Sequence, residues 1–147
     1  MPRSSRIPAP DADRLTTGQP GALAFIVEGN PIPKARSRVV NGHSYTPGAT
    51  RAAEARITHA ARQAGARPRS DPVSVTMRFF RGDARRCDLD NLAKTVLDAL
   101  NRVAFLDDSQ VVQVYAWKAI DREHPRTEVE VKAVPDMVQF ATVWGKP

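Results

Sequence analysis

A chain of 147 residues holds one domain with a modest core. Its 22 Lys and Arg against 16 Asp and Glu give a formal net charge of +6, carried mostly by arginine, and make nucleic acid the leading partner. The single cysteine, Cys87, excludes an internal disulfide and a multi-cysteine zinc site, and no apolar run reaches the length of about 18 residues that a membrane helix needs.

Residues 1–20 are rich in Pro, Ser, Thr, Arg and Asp without a sustained period, and are expected to form a disordered leader with no apolar signal core. Residues 22–28 read as a short apolar strand, and residues 29–33, with Gly, Asn and two prolines, as the loop that ends it. Lys34, Arg36 and Arg38 then alternate. In extended backbone they share one side, either as a phosphate-facing edge or as a solvated basic loop. Asn41 and Gly42 mark a hairpin turn between two short extended pieces.

An alanine-rich helix is expected from Thr46 or Thr50 to about Gln63, with the Gly- and Pro-containing stretch 65–72 as its break. Residues 73–80 alternate as a strand with one buried side, and residues 81–86 form a polar loop. Leu89, Ala93, Val96, Leu100 and Val103 recur at spacings of three and four, which predicts a second helix to about Val103. After a connector at 104–109, residues 110–120 read as a strand, 121–127 as a hairpin turn, and 128–134 as a half-buried strand. Residues 135–147 are a tail of unassigned role carrying Met137, Phe140, Val143 and Trp144. The order strand, hairpin, helix, strand, helix, strand, strand predicts an α+β domain over residues 21–134. It would be a small two-layer unit with two main helices packed on a mixed sheet.

Chemistry concentrates around the second helix. Asp88 and Asp90 stand at its start, Lys94 follows one turn after Asp90, and Asp107 and Asp108 lie between its end and the next strand. A hydrolase that holds a divalent metal against a phosphodiester needs carboxylates converging from different elements, and this segment could supply them. The competing reading for Asp88 or Asp90 alone is a helix cap, since a short carboxylate accepts the free N–H groups of a first turn.

The run D-L-D-N-L-A-K at 88–94, followed by L-D-D-S-Q-V-V at 106–112, resembles the RusA family of Holliday junction resolvases, as does the entry E-G-N-P-I-P-K-A-R-S-R at 28–38. The resemblance spans about residues 25–134. Ser37 departs from it where many relatives have proline, and Cys87 stands where a basic residue would serve phosphate binding better.

The resemblance implies a catalytic group of Asp88, Asp90, Lys94 and Asp108, with the three aspartates holding Mg²⁺, for which Mn²⁺ can substitute. Asp107, outside that group, would aim Asp108 or accept a hydrogen bond from a metal-bound water. Lys34, Arg36, Arg38, Arg81, Arg85 and Arg86 would contact nucleic acid. The implied protein is a cytoplasmic homodimer, bacterial or encoded by a bacteriophage, that binds a four-way DNA junction and nicks it in pairs during recombination and repair. Three other readings remain at this point: a nuclease acting on flaps or other branched replication intermediates, an inactive module that binds branched DNA, and a small metal-binding structural or assembly protein that uses the acidic cluster only to hold a loop.

Overall fold

A computed structural model describes residues 21–36, 38–45 and 47–134. The expected leader and tail, together with Ser37, Thr46 and the side chains of Arg38 and Tyr45, lie outside the described residues. The elements follow the expected order: β1 (Leu23–Glu28), β2 (Arg38–Val40), β3 (His43–Tyr45), α1 (Gly48–Gln63), β4 (Val73–Arg81), α2 (Leu89–Leu100), β5 (Val111–Ile120) and β6 (Arg126–Ala133), with a short 3₁₀ turn at Asp108–Gln110 before β5. No helix among the described residues is long and apolar enough to cross a membrane.

The hairpin β2–β3 turns as its dipeptide requires, with Asn41 at φ 51° and Gly42 at φ 77°. Both central residues have positive φ, which suits the right-handed twist of a two-residue hairpin. Helix α1 buries Thr50, Ala53, Ile57 and Ala61, one stripe at spacings of three and four. It stops in a Schellman motif: Ala66 N–H donates to Ala61 O, Gly65 N–H donates to Arg62 O, and Gly65 takes φ 93°.

Helix α2 buries Leu92, Ala93, Thr95, Val96, Ala99 and Leu100, a broader face than the expected stripe, with Leu89 only partly covered. The helix ends at Leu100 rather than near Val103. Arg102 takes a left-handed φ of 63°, and its N–H donates to Phe105 O, so the chain turns and drives Val103, Ala104 and Phe105 into the core.

The main sheet has the order β1-β6-β4-β5. Strand β6 lies antiparallel between β1 and β4, whereas β4 and β5 are parallel and joined through α2. Residues 121–125 are therefore not the expected hairpin turn. They carry the chain across the end of β4, where Asp121 N–H donates to Arg81 O. The helix-facing side of the sheet supplies Phe25, Val75, Met77, Phe79, Val129 and Val131, all nearly inaccessible, which pack under α1 and α2.

Strand β6 also departs from the half-buried expectation, because a central strand has neighbours on both edges. Glu128 and Glu130 are only 4% and 6% exposed. Their charges are compensated: Arg78 and Arg126 reach Glu128 at 3.4 and 2.9 Å, and Lys132 reaches Glu130 at 2.8 Å. Phe80 is buried beside them. It meets Trp117 edge-on at 5.2 Å, with the Arg126 guanidinium 3.7 Å over its ring.

Candidate active site

The loop before α2 is braced by the segment at Asn30 and Pro31, some fifty residues earlier in the chain. Asn30 accepts from Gly82 N–H at 2.9 Å and donates to Asp83 at 3.2 Å; Asp83 in turn accepts from Arg81 and from Arg85 N–H, each at 3.0 Å. Arg81 is 8% exposed, and its other arm donates to Pro31 O at 2.6 Å. These bonds fix the loop that presents Arg85, Arg86 and then Asp88. They also revise the role expected of Arg81: a guanidinium that is buried and committed to a carbonyl and a carboxylate braces the loop, whereas Arg85 and Arg86 are exposed.

Replacing Arg81 by Met is therefore expected to lower stability by about 1–3 kcal/mol, because Pro31 O and Asp83 lose a charge-assisted donor. Replacing both Arg85 and Arg86 by Gln should leave the melting temperature unchanged, because both side chains are exposed. Thermal melting checks both results.

At the start of α2, Asp88 has the φ and ψ of an N-cap residue, but its carboxylate makes no cap bond. It is exposed, as is Asp90, whose Oδ1 accepts from Asn91 N–H at 2.9 Å. The capping reading thus fails for Asp88 and leaves its oxygens available. Lys94, one turn on, is half exposed and sits 2.7 Å from Asp98. These groups border an open groove between α2 and β5, floored by Leu89, Ala93, Leu97, Val114 and Ala116, with Lys118 at its far side.

Lys34 does not extend from a phosphate-facing edge. Its N–H donates to Asn91 O at 2.9 Å, and its ammonium lies between Glu54 and Asp98, the latter at 3.0 Å. Two carboxylates from α1 and α2 neutralise it, so it staples those helices together. Arg36 is exposed, and the side chain of Arg38 is outside the described set.

Burial opposes ionisation of both Lys34 and Asp98. The bonds and opposite charges outweigh it, so the Lys34 pKa is raised and the Asp98 carboxyl is lowered. The Asp98 contribution is present above its unfolded pKa and is lost as pH falls through the lower folded value. The Lys34 contribution is present below its unfolded pKa and is lost as pH rises through the higher folded value. Stability should therefore drop below about pH 4 and above about pH 10. Lys34→Met should flatten both limbs of a melting-temperature profile measured against pH.

Asp107 and Asp108 lie elsewhere. Asp107 caps the 3₁₀ turn: its carboxylate accepts from Ser109, and its N–H donates to Gln110 Oε1 at 2.8 Å. The bonds from Ser109 hold its pKa below the ordinary carboxylate value. Gln110 pins the turn to the carbonyls of Arg69 and Asp71 at 2.8 and 3.0 Å. Asp107 therefore shapes the turn rather than aiming its neighbour, and Asp108 is exposed.

Asp108 precedes β5 at the end paired with Val73, whereas Asp88 sits near Lys118, beside Phe79 at the opposite end. Seven strand residues or a three-turn helix separate them, a distance on the order of 20 Å. Asp88, Asp90 and Asp108 thus do not converge within one chain, and no group of three potential metal ligands forms among the described residues.

The geometry sits inside a recognisable family. The family model described as "Endodeoxyribonuclease RusA" matches residues 28–132, which takes in every element from the Asn30 brace to β6. The chain belongs to the RusA family. RusA relatives described as crossover junction endodeoxyribonucleases, from Escherichia coli strain K12 and Shigella sonnei strain Ss046, are each 39% identical to it over 61 residues. That alignment takes in 41% of this chain and 51% of each relative, so the chain spans about half the length of the curated relatives it matches.

Lys118 is the polar member of this RusA site that the motif reading passed over. Val114, Ala116, Lys118 and Ile120 share the helix-facing side of β5, and a lysine interrupting an apolar side is the signal that was present in the sequence.

Proposed function

We propose that this chain is a metal-dependent endodeoxyribonuclease that cuts four-way DNA junctions as a homodimer, in the cytoplasm of a bacterial cell. The observation that supports it most is the pair of exposed carboxylates at the start of α2, one of them free of capping duty, beside Lys94 and an exposed basic loop. The relatives' names, crossover junction endodeoxyribonuclease, point to the same chemistry.

The donor set suits Mg²⁺, a hard ion commonly held by one or two carboxylates together with waters and substrate phosphate. Asp88 and Asp90 would hold it on one chain. When bound, the metal supplies Lewis-acid polarisation and a more acidic water. The chain's own residues do the rest. Arg85 and Arg86 hold the DNA backbone, and Lys94 offsets the charge that builds on the phosphoryl oxygens as the water O–P bond forms and the P–O3′ bond breaks. The products are a 5′ phosphate and a 3′ hydroxyl.

A homodimer brings Asp108 into this account. Among the described residues strand β5 has a partner on one edge only, and Val114, Tyr115 and Ile120 along it are 47%, 58% and 54% exposed. An open edge with apolar side chains is a ready surface for a second copy. A two-fold axis through the middle of that strand sets two β5 strands antiparallel, so the start of one meets the end of the other. Asp108 of each chain then approaches Asp88 and Asp90 of its partner.

The test is single-turnover cleavage of matched four-way junction, flap and linear duplex. The junction should be cut in Mg²⁺ and bound without cleavage in Ca²⁺. Full cleavage after metal removal in excess chelator rejects the mechanism, and preference for the flap reassigns the substrate.

A further inference from the structure

Three of the four lysines among the described residues are ion-paired: Lys34 with Glu54 and Asp98, Lys94 with Asp98, and Lys132 with Glu130. The fourth, Lys118, has no carboxylate partner among the described residues. Its ammonium donates to the neutral carbonyl of Cys87, the residue immediately before Asp88. An ammonium has three N–H donors, and a carbonyl uses one. Lys118 also occupies a strand position whose neighbours on the same side, Val114 and Ala116, floor the groove against α2. A lysine there forgoes apolar packing and brings a charge to the edge of the site without a counter-charge bound to it.

Lys118 borders two depressions at once. One is the groove holding Asp88, Asp90 and Lys94. The other is a notch between the loop and the end of β5, where Lys118 is joined by Arg85 and Arg86, with Asp88 on the shared wall. Of the notch's other charged groups, Arg81 and Asp83 bond each other at 3.0 Å. The net effect is a concave surface lined by three cations that have no carboxylate partner among the described residues, beside an exposed carboxylate. A group with several anionic oxygens at backbone spacing would satisfy them, and a nucleic-acid strand carries one at every nucleotide.

We propose that this notch binds a DNA phosphate of the strand being cut, with Lys118 as the cation at its floor. The Cys87 carbonyl holds the ammonium in place, so that one lysine both fixes the backbone before Asp88 and reaches the phosphate. This reading rests on the nuclease assignment above and adds to it a subsite between the loop and the end of β5.

The experiment compares Lys118→Gln, which keeps an amide donor for the Cys87 carbonyl but removes the charge, with Lys118→Arg, which keeps the charge. Four-way-junction binding is measured in Ca²⁺ across a salt series, with thermal melting and single-turnover cleavage in Mg²⁺ alongside. Lys118→Gln should melt near the parent temperature, lose about one unit from the slope of log affinity against log salt, and cleave on the order of 100-fold more slowly at saturating protein. Lys118→Arg should restore the slope and most of the rate.

An unchanged slope and saturated rate in folded Lys118→Gln overturns the proposal and leaves Lys118 as a tether for the loop. If Lys118→Gln fails to fold, Lys118→Met carries the test: a slope about one unit below the parent's upholds the proposal, and the parent slope overturns it. A parent protein that binds the junction without cutting it removes the nuclease reading, while the salt slopes still decide the notch. A parent that binds no DNA removes both.

Discussion

Asp90→Asn is expected to lower single-turnover junction cleavage by on the order of 10³-fold, the scale seen when a member of a catalytic unit is removed. The folded protein should stay within about 3 °C of the parent melting temperature. Asp88→Asn should behave alike. Both carboxylates are exposed, so neither change uncovers a buried partner. The one intramolecular bond that Asp90 accepts, from Asn91 N–H, can be kept by the amide oxygen of Asn. Junction affinity in Ca²⁺ should hold or rise, because a negative charge near phosphate is removed. A capping role predicts the reverse pattern, a loss of about 0.5–2 kcal/mol in stability with activity intact. Asp88 makes no side-chain cap bond, which already counts against that alternative.

Asp108→Asn should be equally damaging to cleavage and silent in stability, although it lies at the other end of α2 from the carboxylates it is meant to serve. The bonds that shape its turn come from Asp107 and Gln110, and the contribution of Asp108 is its backbone carbonyl, which accepts from Val111 N–H. Substitution therefore leaves the turn intact. Within an isolated chain the residue has nothing catalytic within reach, so a large loss of cleavage has to come through a second chain. Wild-type cleavage by folded Asp108→Asn would remove it from the site and leave two carboxylates as the whole of the protein's ligand set.

The fold was legible wherever it depended on local periodicity. Alternation at β4, the apolar spacing of α2, the Asn41-Gly42 turn and the alanine content of α1 each reflect one element's own geometry, and each element stands where expected apart from the earlier end of α2 at Leu100. Pairing order was not legible. Nothing local distinguishes a strand with one covered side from a central strand whose outer charges are neutralised by neighbours, so Glu128 and Glu130 read as solvated. Residues 121–127 read as a hairpin turn for the same reason: a short polar connection says nothing about which strand lies between its ends.

The site shows the same division. The motif at 88–94 fixed the helix start and its carboxylates, because cap position and the four-residue spacing to Lys94 are local. The roles of Lys34 and Arg81 depended on Glu54, Asp98, Pro31 and Asp83, which only tertiary structure brings to them. Alternating basic residues look alike whether they face phosphate or an internal carboxylate. Asp107 and Asp108 are adjacent in sequence, yet one is spent on a turn and the other is free. Convergence of Asp90 and Asp108 from different elements does not occur within one chain. The length of α2 sets them at opposite ends of β5, and only the proposed two-fold axis would bring them together.

The central claim, a site shared between two chains, is tested most directly by mixing two inactive variants. Asp90→Asn and Asp108→Asn chains are combined in equal amounts, dissociated, reassociated and assayed for single nicks in a four-way junction. Random pairing makes about half of the dimers mixed. In a shared site each mixed dimer carries one complete set of ligands, Asp88 and Asp90 from one chain and Asp108 from the other, so nicking should return to roughly a quarter of the parent rate. A mixture as inactive as either variant alone, with exchange of chains verified, would contradict the account, because it would mean that the three carboxylates do not meet across the dimer.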